Sequence, residues 1–435
     1  MKRFSLSVIV MIFWFTGIIS ANVLIKPSDT NINYYGRCDF SKSTDSVGFN
    51  WAGTIIEASF PGPTIGVELR DGGAYFNVEI DGVLGDSLPP STTTTTRMIS
   101  TSLSTANHTI RLTLRTNGQN CSFRGFYLAN GSVLAPRPAK PTRRIEFIGD
   151  SWTAGDVIFA PVGSSGALNT FDAAITYARL TSKAFHAEDH LTARGGCGLV
   201  KSQSGAAVMA TRFPETMCDQ ATPLWNFTSW TPDLVTMFLG INDFGLGVAD
   251  STFISAYKTL ITTVRAKYQN VPIIMIGLSA QISGQTAKNT LLTDVQTIAQ
   301  SFTGITVFSS PITTANASQL YQHPSKAQHQ LISDSLIPVV ERVMGWDTAA
   351  TVGVDVPCCK QVSRYAAGSI IKVSQDKIVL PAQLSGWAKE VAVYDFMGRA
   401  IRKITTEKQT ISLKKDLGLT SGMYLVKTTG IVKNN

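Results

Sequence analysis

Beyond its first 21 residues the sequence has no run of the roughly 18 unbroken apolar residues needed to cross a bilayer. It has no Cys-x-x-Cys pair and no Cys/His cluster at zinc spacing, so neither a metal nor any other cofactor is expected. No internal repeat recurs at solenoid periods. Nor is positive charge gathered where a nucleic acid would need it. The formal net charge is +8, yet residues 145–346 hold 11 Lys and Arg against 14 Asp and Glu, a balance of −3. Residues 371–435 hold 11 against 5, a balance of +6. The basic excess lies towards the ends of the chain, and its middle offers no phosphate-facing cluster, which argues against nucleic-acid binding.

What is present points elsewhere. The opening "MKRFSLSVIVMIFWFTGIISA" sets Lys2 and Arg3 before an apolar run and small residues, so 1–21 is expected to be a secretory signal peptide and the protein to be secreted. Six cysteines fit that address, and disulfides are their expected use. Cys38 and Cys121 precede a proline-rich stretch, Cys197 and Cys218 follow it, and Cys358 and Cys359 are adjacent.

Three textures divide the rest. Residues 22–135 alternate apolar and polar at period two, as in "AYFNVEIDGVL" and "HTIRLTLRTNGQN", with Asp-Gly and Asn-Gly turns. They predict an all-β, jelly-roll-like sandwich. The proline-spaced stretch 136–144 reads as a stiff linker. Residues 145–346 change period: "RIEFIG", "DLVTMFLG", "PIIMIGL" and "GITVFSS" are apolar at successive positions, as strands covered on both faces are. Between them run helical patterns such as "DSTFISAYKTLITTVRAKY". Strand alternating with helix predicts an α/β fold with a doubly wound, flavodoxin-like parallel sheet. After a second linker, 347–368, the Lys-rich tail 369–435 reads as a small β-sandwich.

In such sheets ligands bind at the carboxyl ends of the strands. Ser151, in "IEFIGDSWTAGD", stands at the first of these ends, where it is either turn chemistry or a nucleophile beside backbone N–H groups that stabilise an oxyanion. Asn242, in "FLGIND", is either an Asx-turn residue or a side-chain donor into the same crevice. The glycines of "TARGGCGLV" turn a corner or bring backbone N–H groups close to a substrate. His323 precedes Pro324 at the start of the last helix, and His329 reads better as an ordinary surface histidine. Asp150 and Asp243 are expected to brace loops by accepting backbone N–H groups.

Together "GDSWTAG", "GGCG", "GIND" and "HPS" resemble, in order, the signature blocks of the GDSL/SGNH hydrolase superfamily over residues 145–346. The resemblance implies Ser151 as nucleophile and His323 as general base. It implies an oxyanion hole of the Ser151 and Gly196 N–H groups with the Asn242 side chain, Gly195 or Gly198 being alternatives for the glycine. The preceding sandwich, with "NYYGRCDF" and Trp152 beside the serine, is similar to the family-two carbohydrate esterases. Those enzymes remove acetyl groups from plant cell-wall polysaccharides such as xylan and glucomannan, which makes acetylated polysaccharide the expected partner. The tail "VAVYDFMGRAI…SGMYLVK" resembles the C-terminal sorting domains of secreted bacterial proteins, which implies a secretion machinery as a further partner.

One departure is chemical. Superfamily members usually carry an aspartate three residues before the histidine, and here that position is Leu320. A base activates serine only while its second ring nitrogen is held in the right tautomer, and in a well-studied triad replacing the orienting acid costs ~10⁴ in rate. A backbone carbonyl holds the donor nitrogen equally well in geometry, and some family-two esterases are described as Ser-His dyads of that kind. Aromatic faces suit sugar rings, so Trp152 is a candidate stacking platform, whereas Trp225 and Trp230 read as packing residues.

Overall fold

The computed structural model describes residues 22–348 throughout, and in the tail 372–374, 377–379, 388–394, 400–406, 408, 410–412, 415–416 and 425–431. The expected signal peptide, Cys358 and Cys359 lie outside the described residues. The chain divides into two compact units, 1–349 and 350–435.

The first unit opens with the expected sandwich of two five-stranded antiparallel sheets. One sheet is built on Cys121–Leu128 and Ile65–Arg70, the other on Ile55–Pro61, Asn107–Leu114 and Phe76–Ile80. Their inward residues alternate with outward ones, and Phe49 of one sheet meets Phe76 of the other edge to face at 6.0 Å. Asp81 and Gly82 both have positive φ, the conformation a two-residue hairpin turn requires, and they join Phe76–Ile80 to Val83–Leu84. The Asn-Gly turn differs. Asn107–Leu114 and Cys121–Leu128 lie in different sheets, so Asn117 and Gly118 carry the chain from one sheet to the other.

From Arg143 the period change has its structural counterpart. Five parallel strands are ordered Ala187–Ala193, Arg143–Gly149, Leu234–Phe238, Ile273–Gly277, Ile305–Ser309. This is the 2-1-3-4-5 order of the flavodoxin-like fold, with its switch point beside the first strand. The helix Tyr177–Ala184 packs on Lys326–Met344, and Asp250–Tyr268 packs on Leu291–Ala299. Right-handed crossovers put those pairs on opposite faces.

Sequence reading found four of these strands and missed Ala187–Ala193. This edge strand is too polar to show a buried run, yet it is buried because each polar side chain has a partner. Asp189 pairs with Arg179, Thr192 donates to Glu146 Oε1 at 2.6 Å, and the His190 ring stacks on Trp230 at 3.6 Å. Trp225 and Trp230 are indeed packing residues, the former beneath the Arg37 guanidinium at 5.4 Å.

The stretch read as a stiff linker is packed in place. Asn33 Nδ2 donates to the Pro138 carbonyl at 2.8 Å, and Lys140 lies 4.5 Å over the Tyr35 ring. Sandwich and α/β block share one unit, anchored by a buried ion pair of 2.8 Å from Arg37 to Glu146 on the strand Arg143–Gly149. Removing one member of such a pair strands a buried charge, at a cost of about 3–5 kcal/mol.

The second unit contains two three-stranded antiparallel sheets among its described residues. One comprises Lys372–Ser374, Lys377–Val379 and Thr410–Ser412, the other Ala400–Thr406, Ala388–Tyr394 and Leu425–Ile431.

Among the described residues the expected disulfides are not formed. Cys38, Cys121, Cys197 and Cys218 are buried free thiols. The Cys121 thiol donates instead to the carbonyls of Asp71 at 3.2 Å and Gln119 at 3.3 Å. Burial pushes the Cys197 thiol up to about 11.

Candidate active site

The strand Arg143–Gly149 ends at the switch point, and Asp150 then caps the single-turn helix Ser151–Ala154 by accepting the Trp152 N–H at 3.0 Å. That cap puts Ser151 on the first helical position, at the carboxyl edge of the sheet. The next side chain turns about 100° away on the helix. Trp152 therefore points into the core, 1% exposed and edge-on to Phe238 at 5.6 Å. The expectation that Trp152 stacks on a sugar is corrected: it anchors the nucleophile turn from beneath.

His323 arrives from the far end of the block. Its Nε2 lies 2.7 Å from Ser151 Oγ. Its Nδ1 faces two main-chain oxygens, Leu320 at 3.0 Å and Tyr321 at 3.1 Å. Carbonyls can only accept, so Nδ1 carries the proton and Nε2 is left as the acceptor for the serine hydroxyl. The role of the missing aspartate is filled by the backbone of the very residue that replaces it. The turn that does this is unusual: Tyr321 (φ 56°) and Gln322 (φ 60°) are both left-handed, a conformation that non-glycine residues rarely adopt and that clusters at functional sites. The turn is docked on the segment after the nucleophile, where Leu320 N–H donates to the Ala160 carbonyl at 2.8 Å. The half-buried imidazole is depressed to about 4, because desolvation outweighs the two carbonyl contacts.

Asn242 follows Gly240, whose φ of +126° and lack of space make glycine obligatory: a Cβ there would lie 2.7 Å from Leu291 Cδ1. The Asn242 Nδ2 donates to the Cys197 carbonyl at 3.0 Å and to Asp150 Oδ2 at 3.3 Å, so it joins the nucleophile turn to the glycine loop. In that loop the Gly195 N–H is bound to Asn117 Oδ1 at 3.1 Å and the Gly198 N–H to Ser202 Oγ at 3.1 Å. The Cys197 N–H is bound to the Arg194 carbonyl at 3.2 Å. No loop, turn or cap hydrogen bond uses the N–H of Gly196 or of Ser151. Of the three glycines weighed from the sequence, Gly196 is the one whose donor is uncommitted.

Asp243 braces the same loop, accepting the N–H groups of Leu199 at 2.9 Å, Val200 at 2.7 Å and Lys201 at 3.0 Å. Burial raises Asp150 to about 8, with the Trp152 N–H acting against that shift and the Asp156 and Asp243 charges adding to it. His329 is not on the surface, as sequence reading had it. It is 1% exposed, accepts the Tyr177 N–H at 3.2 Å and stacks on the Tyr177 ring.

Two features escaped sequence reading. Tyr321, two residues before His323, is an aromatic side chain 72% exposed. Asn117 reaches the glycine loop from the sandwich, 78 positions away from Gly195 in sequence. Among the described residues no group of three or more His, Cys, Asp or Glu is placed to hold a metal.

Both blocks of the first unit are similar to known proteins. Residues 34–138 match the family model described as carbohydrate esterase 2 N-terminal, and residues 147–331 match the GDSL-like lipase/acylhydrolase family. The cellulase/esterase CelE of Acetivibrio thermocellus is 30% identical over 345 residues, 74% of this chain. The chain spans only 40% of the length of that relative. An acetylxylan esterase/glucomannan deacetylase of Cellvibrio japonicus is 25% identical, with 76% of this chain and 93% of that protein covered. A family two carbohydrate esterase from Clostridium thermocellum, solved in complex with cellohexaose, superposes with a TM-score of 0.66 at 26% identity. That match covers 72% of this chain and 99% of the other. One from Cellvibrio japonicus has a TM-score of 0.68 at 23% identity over 75% and 99% of the two chains, a likeness of fold.

Proposed function

On the premise that this chain joins a carbohydrate esterase 2 N-terminal domain to a GDSL-like lipase/acylhydrolase domain, we propose that it removes O-acetyl groups from plant cell-wall polysaccharide. The observation that carries the reading is the 2.7 Å contact between Ser151 Oγ and an imidazole whose other nitrogen is committed to main-chain oxygens. The curated relatives named for acetylxylan and glucomannan deacetylation support the substrate class.

In this mechanism Ser151 Oγ attacks the acetyl carbonyl carbon while its proton passes to His323 Nε2. The developing oxyanion is received by the N–H groups of Ser151 and Gly196 and by Asn242, whose longer bond, to Asp150 Oδ2, is the one to be exchanged. The C–O bond to the sugar breaks and Nε2 returns the proton to the departing sugar oxygen, leaving acetyl-Ser151. Water then attacks that ester, its proton again taken by Nε2, and acetate leaves as Ser151 regains its hydrogen. The two carbonyls at Nδ1 keep the tautomer fixed through both halves but stabilise the imidazolium less than a carboxylate would.

The proposal extends to a secreted protein, with its tail serving a secretion machinery. The leader-like first 21 residues and the composition of the tail support this. The test of function is acetate released from acetylated xylan and acetylated glucomannan by the purified protein. Release from either polymer is expected, and release only from longer acyl esters would overturn the assignment in favour of another acyl specificity.

A further inference from the structure

The turn Thr116–Asn120 belongs to the N-terminal sandwich, yet it contacts both loops that form the site. Asn117 Oδ1 accepts the Gly195 N–H at 3.1 Å and the Arg194 Nη1 at 2.8 Å. Its Nδ2 donates to Asp156 Oδ1 at 2.5 Å. Asp156 in turn is fixed to the nucleophile turn, because its N–H donates to the Ser151 carbonyl at 3.0 Å. A single carboxamide, 2% exposed, thus uses both ends at once: oxygen on the glycine loop, nitrogen on the nucleophile turn. The two loops also meet directly. A Cβ on Gly195 would lie 2.1 Å from Asp156 Oδ2, so only glycine admits the approach.

This linkage sets the separation of two donors. Gly195 precedes Gly196, whose N–H has no hydrogen-bond partner among the described residues, and Ser151 supplies both the nucleophile and the other backbone N–H. Fixing Gly195 to Asn117 leaves Gly196 free while restricting where its peptide can go. We propose that Asn117 is a positioning residue for the reaction, through which the N-terminal sandwich holds the two halves of the oxyanion hole in register. The inference rests on the esterase reading of Ser151. It adds that the sandwich is part of the catalytic apparatus rather than a neighbouring module. Oxyanion-hole donors act over tenths of an ångström, and a misplacement of about 1 Å costs ~10² in rate.

Asn50 provides the control. It is another buried sandwich asparagine that grips the α/β block with both ends, donating to the Cys218 carbonyl at 2.8 Å and accepting the Cys218 N–H at 2.7 Å. Its Nδ2 also donates to Asn120 Oδ1 at 2.9 Å, at the end of the Thr116–Asn120 turn, but no side-chain hydrogen bond of Asn50 reaches Asn117 or either catalytic loop. The experiment measures kcat and KM on 4-nitrophenyl acetate, with thermal unfolding, for Asn117→Ala, Asp156→Ala and Asn50→Ala. Ser151→Ala alongside them reports separately on the esterase reading. Asn117→Ala is expected to lower kcat roughly 10- to 100-fold with KM held within about threefold. Asn50→Ala is expected to lower the unfolding temperature without lowering kcat. Asp156→Ala, which cuts the nucleophile-turn arm and the direct approach to Gly195 but leaves the Asn117–Gly195 bond, should lower kcat several-fold and carries the test alone if Asn117→Ala does not fold. Wild-type kcat in both Asn117→Ala and Asp156→Ala, or an equal loss of kcat in Asn50→Ala, overturns the proposal.

Discussion

The turn carrying Ser151 is held by side chains, and the turn carrying His323 is held by main chain. At the serine, Asp150 caps the helix, Trp152 wedges beneath it, and Asn242 ties Asp150 to the glycine loop. At the histidine no described side chain hydrogen-bonds Nδ1. The carbonyls of Leu320 and Tyr321 do so, in a turn whose residues Tyr321 and Gln322 are left-handed. Side-chain support is written in residue types and can be found as a motif. Main-chain support leaves no residue type behind, and here the position that would have announced it reads Leu320. A Ser-His pair can thus be oriented without the acidic residue whose place in the sequence Leu320 takes.

The comparison breaks most visibly at the ring itself. His323→Ala should lower kcat on 4-nitrophenyl acetate by about 10⁴-fold or more. A loss of under tenfold would mean that the ring is not the base, however well its turn is built.

The pH profile sharpens the point. A carboxylate partner would raise the imidazole, whereas burial with only neutral carbonyls lowers it, to about 4. Burial disfavours the charged form, so the neutral base persists to lower pH than a free histidine at 6.5 allows. The acid limb of kcat/KM should therefore fall near pH 4, and a midpoint at 6.5 or above would indicate a hidden acidic partner.

A smaller effect tests the outer face of the histidine turn. On the proposed polysaccharide reading, the exposed Tyr321 is the aromatic nearest His323 in sequence, so Tyr321→Ala should raise KM on acetylated xylo-oligosaccharide roughly 3- to 10-fold. Trp152→Ala should instead act through stability, and steady-state kinetics with thermal unfolding separate the two.

Much of this molecule was legible in its sequence, for physical reasons that also mark where reading stopped. The strands Leu234–Phe238 and Ile273–Gly277 are covered on both faces and are apolar at every position but Thr236 and Gly277, so the parallel sheet announces itself. Ala187–Ala193 is also buried but packs its polar residues against Arg179, Glu146 and Trp230, partners outside the strand, so no local pattern marks it. Ser151, Asn242 and His323 stood out because each sits where a strand or loop delivers a reactive group. Trp152 was misassigned because adjacency in sequence was taken for adjacency on a surface, while one helical step separates a surface position from a core one. Asn117 was read only as turn chemistry. Nothing within the Asn-Gly pair states that its side chain meets Gly195.

The central claim is that Ser151 and a carbonyl-held His323 form the working pair. The measurement that meets it most directly is the hydrolysis rate of 4-nitrophenyl acetate by the wild-type protein and by Ser151→Ala at neutral pH. The account predicts turnover by the wild type and only the uncatalysed background with the variant, at an unchanged unfolding temperature. Equal rates from the two proteins would contradict it.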